Sequence, residues 1–396
     1  AGAGGAFSQP ATSSPPPAPA QLDRPALTAL RAQLASAMAA HSGGGHPARA
    51  WGGGAAAGLA GPYRDLDAYA DLAGLLATRG LDNPALPLGN DRDRALLAAV
   101  ASEVRDLSGP HGGAHLLLAR LADERGSTAC PEGRDNATAD PRCLRAPFSD
   151  ALKAGWYDAA SHAFFHVGDT TTVYRPVEAI AVGCALVVSG LDGVQDEDKI
   201  SAGMDIIKKE MESDFDQHYG LVYGLMTANP GGGRQPLDTN TRVADQAGIA
   251  EMLLQAFDAS RERQLQEYAR VAMAPLLDDT AGLATARGYI SGFDLKSSPP
   301  ANPDVDVEAG VLVLQAAHHY DVDDGNLLAR VEETAARGLL AAATVAGAAD
   351  GLPGALTAAG PTMRSGLVTA LGVLALTDVL AIPRPATAAA APVASP

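Results

Sequence analysis

The chain has 396 residues, 47% of them hydrophobic and only 5% aromatic, with 46 Asp and Glu against 29 Lys and Arg for a formal charge of -17. At this length such an apolar fraction supplies a sizeable core and excludes global disorder. The acidic excess, with no Lys/Arg stripe, excludes the phosphate-neutralising surface that a DNA or RNA partner needs.

Abundant alanine and few β-branched or aromatic residues favour helices over sheets. Residues 1–20, AGAGGAFSQPATSSPPPAPA, are small and Pro-rich and read as a disordered tail of the kind that follows a cleaved targeting peptide. Residues 384–396 form a second low-complexity tail, which leaves 21–383 as one domain. Helical patterns run from Leu22 to His41, Tyr63 to Arg79, Asp91 to Leu107 and His115 to Arg125. Next comes a loop, STACPEGRDNATADPRC, in which a Cys130–Cys143 disulfide would close a short ring and Asn136-Ala137-Thr138 is an N-glycosylation sequon. Together with the tail these signs predict a non-cytosolic location, secreted or in an organelle lumen. Cys184, inside AIAVGCALVV, reads as a buried small hydrophobe.

From Trp156 onward the sequence has a rhythm. A helix with one charged face ends at an aspartate, a short Gly- and aromatic-containing run follows, and then comes a helix apolar on nearly every side. The turning points are Tyr157-Asp158, Phe215-Asp216, Asp278-Asp279 and Asp350-Gly351. Their spacing, about 60–70 residues, accommodates two helices and a small hairpin. Tyr174 to Gly190, Thr241 to Asp258, Asp304 to Tyr320 and Pro361 to Leu380 are the enclosed, inner helices. Lys199 to Ser213, Arg261 to Leu277 and Asn326 to Ala343 are the outer ones. Gly366 to Ile382 approaches the roughly 20 apolar residues of a membrane span, but it holds Asp378 and lacks an aromatic belt. It reads as an inner helix, with no span expected.

Alternating inner and outer helices with a D-x-x-x-G-like hairpin after each outer one resemble the six-hairpin (α/α)6 toroid proteins, among them glycoside hydrolases, sugar epimerases and non-catalytic relatives. The most similar pieces are RVADQAGIAEMLLQAF from Arg242 and NPDVDVEAGVLVL from Asn302. The resemblance implies an all-α toroid of helical hairpins with short β-hairpins between them, in which inner-helix N-termini converge on a funnel. Polar residues stand at those starts: Tyr174, Arg175 and Glu178; Arg242, Asp245 and Gln246; Asp304, Asp306 and Glu308; Thr362 and Arg364. Helix capping or internal ion pairing accounts for acids in first turns. A cation at a helix N-terminus is mildly unfavourable, so Arg175, Arg242 and Arg364 point equally to a ligand-facing ring.

An oligosaccharide or other glycan suits such a ring, because carboxylates, Arg and Gln give directional partners to hydroxyls. Trp156, Tyr157, Tyr174, Tyr219 and Tyr223 can stack on a pyranose face. Hydrolysis needs one protonated and one ionised carboxyl, about 5 Å apart for retention or about 6.5–9.5 Å for inversion. Asp245 with Asp306 or Glu308 is the candidate pair, and Tyr174, Arg175, Glu178, Arg242, Gln246 and Arg364 are the ligand-binding candidates. Epimerases of this shape are expected to use histidines, yet His318 and His319 fall at the far end of their helix.

The alternative is a non-catalytic toroid serving as a structural or accessory subunit that docks on a protein partner. The pairs His111/His115 and His162/His166 have i, i+4 spacing but lack a third ligand, so no metal is expected. No phosphate-binding or nucleophile-elbow motif occurs, and no cofactor is implied.

Overall fold

The computed structural model describes residues 22–43, 46–47, 50–51, 141–191, 195–278, 281–300, 303–324 and 329–381. Its helices are α1 Arg24–Ala40, α2 Pro141–Trp156, α3 Pro176–Gly190, α4 Glu197–Ser213, α5 Val243–Ser260, α6 Arg263–Asp278, α7 Val307–Asp324, α8 Ala329–Ala346 and α9 Gly366–Ala381. The helices expected over 63–79, 91–107 and 115–125, and the loop with Cys130 and Asn136, lie outside the described residues. So does the side chain of Cys143, and with it the expected disulfide. Cys184 is a free, buried thiol, raised by burial far above the ordinary thiol range.

The architecture is an α/α toroid. Helices α3, α5, α7 and α9 pack on one another in chain order as the inner set, and α4, α6 and α8 back onto α3, α5 and α7. In α3 every residue except Glu178 is buried, as a helix enclosed on all sides requires. Helix α4 shows the outer pattern: the Asp196 carboxylate accepts from Lys199 N–H at 3.1 Å to cap it, Glu197 and Asp198 fill its first turn, and Ile206 and Ile207 face inward. Gly183 and Gly203 bring α3 and α4 together backbone to backbone, since a Cβ on Gly203 would lie 2.5 Å from the Gly183 carbonyl oxygen. Helix α1 packs on α9 and α8. Its Arg24 donates to the carbonyls of Val379 and Leu380 at 3.2 and 2.7 Å, satisfying the end of α9. Among the described residues no helix is long and apolar enough to cross a membrane, and the run from Gly366 forms inner helix α9.

Short antiparallel hairpins link the layers at the expected turning points. Tyr157–Asp158 pairs with Ala163–Phe164, Phe215 bridges Val222, Ala284–Thr285 pairs with Gly288–Tyr289, and Ala355–Thr357 pairs with Gly360–Pro361. The inner helices begin two to five residues later than periodicity predicts, because short extended segments precede them. Thr172–Tyr174 is the first strand of a sheet completed by Leu225–Ala228 and Arg234–Asp238, and Val305–Asp306 pairs with Ala355–Thr357. Arg175 and Arg242 therefore occupy the N-cap positions of α3 and α5 in extended backbone, with no side-chain cap. The start of α5 is pinned from the loop before α7: Thr241 and Val243 N–H donate to the carbonyls of Phe293 and Ser291, both at 2.9 Å. Gly292, at φ +138°, lies so close that a Cβ would sit 1.9 Å from the Thr241 carbonyl oxygen.

Candidate functional site

Four of the residues singled out in the sequence meet at the N-terminal ends of α3, α5 and α7. Asp245, in the first turn of α5, has a 4% exposed side chain, and Arg175 Nη2 straddles its two oxygens at 2.8 and 2.6 Å. Arg242 Nη1 lies 3.9 Å from Asp245 Oδ1, and its Nη2 lies 3.9 Å from Glu308 Oε2 in the first turn of α7. The Arg242 side chain is 36% exposed, while Glu308 is 9% exposed. Each acid sits where the helix dipole favours negative charge, and each arginine answers an acid on a neighbouring helix. Glu178 is half-buried one turn into α3, on the same face as Arg175.

This arrangement resolves the arginine puzzle unevenly. Arg175 is explained by its close grip on Asp245. Among the described residues Arg242 meets its acids at 3.9 Å, farther than Arg175 meets Asp245, so it is the cation of the group best able to meet a ligand. One guanidinium spanning two carboxylates puts them within about 10 Å of each other, the range in which glycosidase carboxyl pairs stand.

The remaining candidates make other contacts. Asp306 Oδ1 accepts from Ala309 N–H at 3.1 Å, so this carboxylate caps α7. Gln246 is fully buried, accepting from Val222 N–H at 2.9 Å and donating to the Gly220 and Ala272 carbonyls at 3.2 and 2.7 Å. Its amide ties the hairpin after α4 to α6 beside the turn that Pro275 interrupts, leaving nothing for a ligand. Arg364 donates to the Ala346 carbonyl and so caps α8. Tyr174 points into a buried cluster of Glu210, Asp214 and Arg234. Periodicity could not direct these side chains, because each leaves from a strand or a helix start where orientation depends on partners distant in sequence.

The aromatic residues do not ring the site. Trp156 stacks on Phe164 with centroids 5.2 Å apart, Tyr157 donates to Asp205 Oδ2 at 2.6 Å, and Tyr219 meets Phe293 edge-on at 5.4 Å. His162 and His166 turn to separate acids, Asp205 at 2.9 Å and Asp169 at 3.1 Å. His111 and His115 lie outside the described residues. At the far end of the inner helices His318 pairs with buried Glu332 at 3.0 Å, and His319 lies between Glu251 and Asp258. A cleft of about 560 Å³ between α2 and α4 is lined by Lys199, Lys153 and Tyr157. Lys199 there is already paired with Asp150 at 2.6 Å.

The cluster around Tyr174 was missed in the sequence, although a signal existed. Glu210 and Asp214 are two acids four residues apart at the C-terminal end of a helix, where like charges repel and the dipole disfavours them.

Helical hairpins arranged in this way define the class of α/α-toroid proteins. No protein-family model and no curated protein sequence matches the chain. Among solved structures it is similar to the unsaturated glucuronyl hydrolase of Bacillus sp. GL1, responsible for the degradation of glycosaminoglycan, with a TM-score of 0.64 and 14% identity over 89% of this chain and 96% of that one. A family 76 glycoside hydrolase from a bovine Bacteroides thetaiotaomicron strain gives a TM-score of 0.60 at 8% identity, covering 90% of this chain and 78% of the other. A D-mannose isomerase gives 0.59 at 10% identity, covering 89% and 97%. Identities this low establish the shared fold, and the neighbours' different chemistries show that the toroid alone does not choose a reaction.

Proposed function

We propose that the protein is carbohydrate-active, a glycoside hydrolase in which Asp245 and Glu308 form the working carboxyl pair and Arg242 orients a hydroxyl-rich substrate. The observation that carries this reading is the bridge by which one half-exposed guanidinium spans carboxylates on adjacent inner helices. Asp245, held by Arg175, suits the ionised role of base or nucleophile. Glu308, the second acid that the bridging arginine meets, takes the general-acid role in this reading. That neighbours sharing the fold include proteins named as glycoside hydrolases supports the substrate class.

One observation favours the second reading, a non-catalytic toroid that acts as a structural or accessory subunit. Both oxygens of Asp245 are engaged by Arg175, as in a purely structural ion pair. A screen of oligosaccharides by product release, with the anomeric configuration of the product followed by NMR, separates the two. Turnover supports the hydrolase, and its stereochemistry reports the carboxyl separation. No turnover or binding across neutral and acidic glycans favours the subunit.

A further inference from the structure

Beside the helix starts, four polar side chains occupy one buried box. Glu210 and Asp214, at the end of α4, are fully buried, Tyr174 is 3% exposed, and so is the side chain of Arg234 from the third strand of the sheet. Tyr174 Oη lies 2.9 Å from Glu210 Oε2 and 2.9 Å from Asp214 Oδ2. Arg234 Nη1 contacts both Tyr174 Oη and Glu210 Oε2, with Asp214 Oδ1 at 3.5 Å, and Arg234 Nη2 donates to the Phe164 carbonyl at 3.3 Å. Ser213 Oγ lies 2.7 Å from Asp214 Oδ1 and 2.7 Å from the Lys209 carbonyl oxygen. From the following hairpin, Tyr223 and Asp216 complete the titratable groups around Asp214.

Charges and hydrogens count to the same result. Two ionised carboxylates and one guanidinium would leave a net negative charge fully buried, which is costly. The Tyr174 hydroxyl has one hydrogen, so it can donate to only one of the two carboxyl oxygens at 2.9 Å. The other contact is a hydrogen bond only if that carboxyl itself donates. Burial first, and then the adjacent Asp214 carboxylate, push Glu210 well above the usual carboxylate range.

We propose that Glu210 and Asp214 hold one proton between them and that this proton latches the three-stranded sheet to the outer ring, keeping the inner-helix mouth ordered in acid and loosening it in alkali. The sheet is fastened at two points: Tyr174 ends its first strand, and Arg234 begins its third. The residue after Tyr174 is Arg175, which grips Asp245, so the latch fixes the backbone from which that side chain departs. A proton bound more tightly in the folded chain stabilises it fully below the ordinary carboxylate pKa of about 4.3, and that stabilisation is lost as pH rises through the raised value.

The test is a pair of measurements on the full chain and on Glu210→Gln, whose amide permanently supplies the donor. Infrared difference spectra at neutral pH should contain a protonated-carboxyl C=O component that is lost in Glu210→Gln. The melting temperature of the unchanged protein should fall between pH 5 and pH 9, with a slope about half as steep in the variant. Where Glu210→Gln does not fold, Asp214→Asn serves, because the proton belongs to the pair. A protonated-carboxyl band of equal intensity in both proteins, no protonated carboxyl at neutral pH in the unchanged protein, or a pH slope identical in both would overturn the proposal.

Discussion

Replacing Arg175 by Met removes the guanidinium that straddles Asp245 while keeping most of the side-chain volume. Asp245 would then stay buried, at 4% side-chain exposure, without the guanidinium at 2.6 Å, while Arg242 stays at 3.9 Å. Removing one partner of a fully buried ion pair costs about 3–5 kcal/mol. Arg175 is itself 21% exposed, so water and the remaining arginine offset part of that, and a loss of about 2–3 kcal/mol is expected. Asp245→Asn leaves a neutral group of the same shape and should cost only about 1 kcal/mol. The double variant should be less destabilised than the sum by about 1–2 kcal/mol, because the two substitutions remove the same close ion pair. Urea unfolding of the four proteins, with unchanged slopes, measures this directly. A loss below about 0.5 kcal/mol for Arg175→Met, or strict additivity, would refute the reasoning, since such a value belongs to a solvated surface pair.

Gly203→Ala should destabilise by about 3 kcal/mol or more, because the new Cβ meets the Gly183 carbonyl oxygen at 2.5 Å and neither backbone can give way; thermal melting tests it. His319 is predicted to remain charged well above neutrality. Burial lowers its pKa, but the Glu251 carboxylate and the hydrogen bond to Asp258 outweigh that and raise it to about 10. Its contribution to stability is complete below the ordinary histidine value of about 6.5 and is lost as pH rises through the folded value. His319→Gln should therefore flatten the stability profile across that window, and an NMR titration placing the His319 ring near 6.5 would contradict it.

The fold was legible from Trp156 onward for a specific reason. Helices such as α3 and α9 are apolar on every side, whereas α4 and α6 carry charge on one face, and burial alone enforces that contrast in the residues. The candidate site was legible in part. Arg175, Arg242, Asp245 and Glu308 stand at helix starts, and helix starts of one layer meet in space. Tyr174 and Arg175 show the limit: neighbours in sequence, they reach opposite partners, one the buried box and the other Asp245, because a strand sends successive side chains to opposite faces. Gln246 looked ligand-like for its polarity, yet its three hydrogen bonds go to backbone on the Gly220–Val222 turn and on α6, contacts that no local pattern encodes.

The central claim is that the carboxylates at the inner-helix starts act on a sugar. Its most direct test is oligosaccharide turnover by the unchanged protein, Asp245→Asn and Glu308→Gln, each melted in the same buffer. Turnover that falls by about 10²-fold or more in both variants is the predicted result, with melting temperatures close to that of the unchanged protein. Variants that keep full turnover, or an inactive parent whose Asp245→Asn form melts far lower, would contradict the account and leave the pair as structural ions.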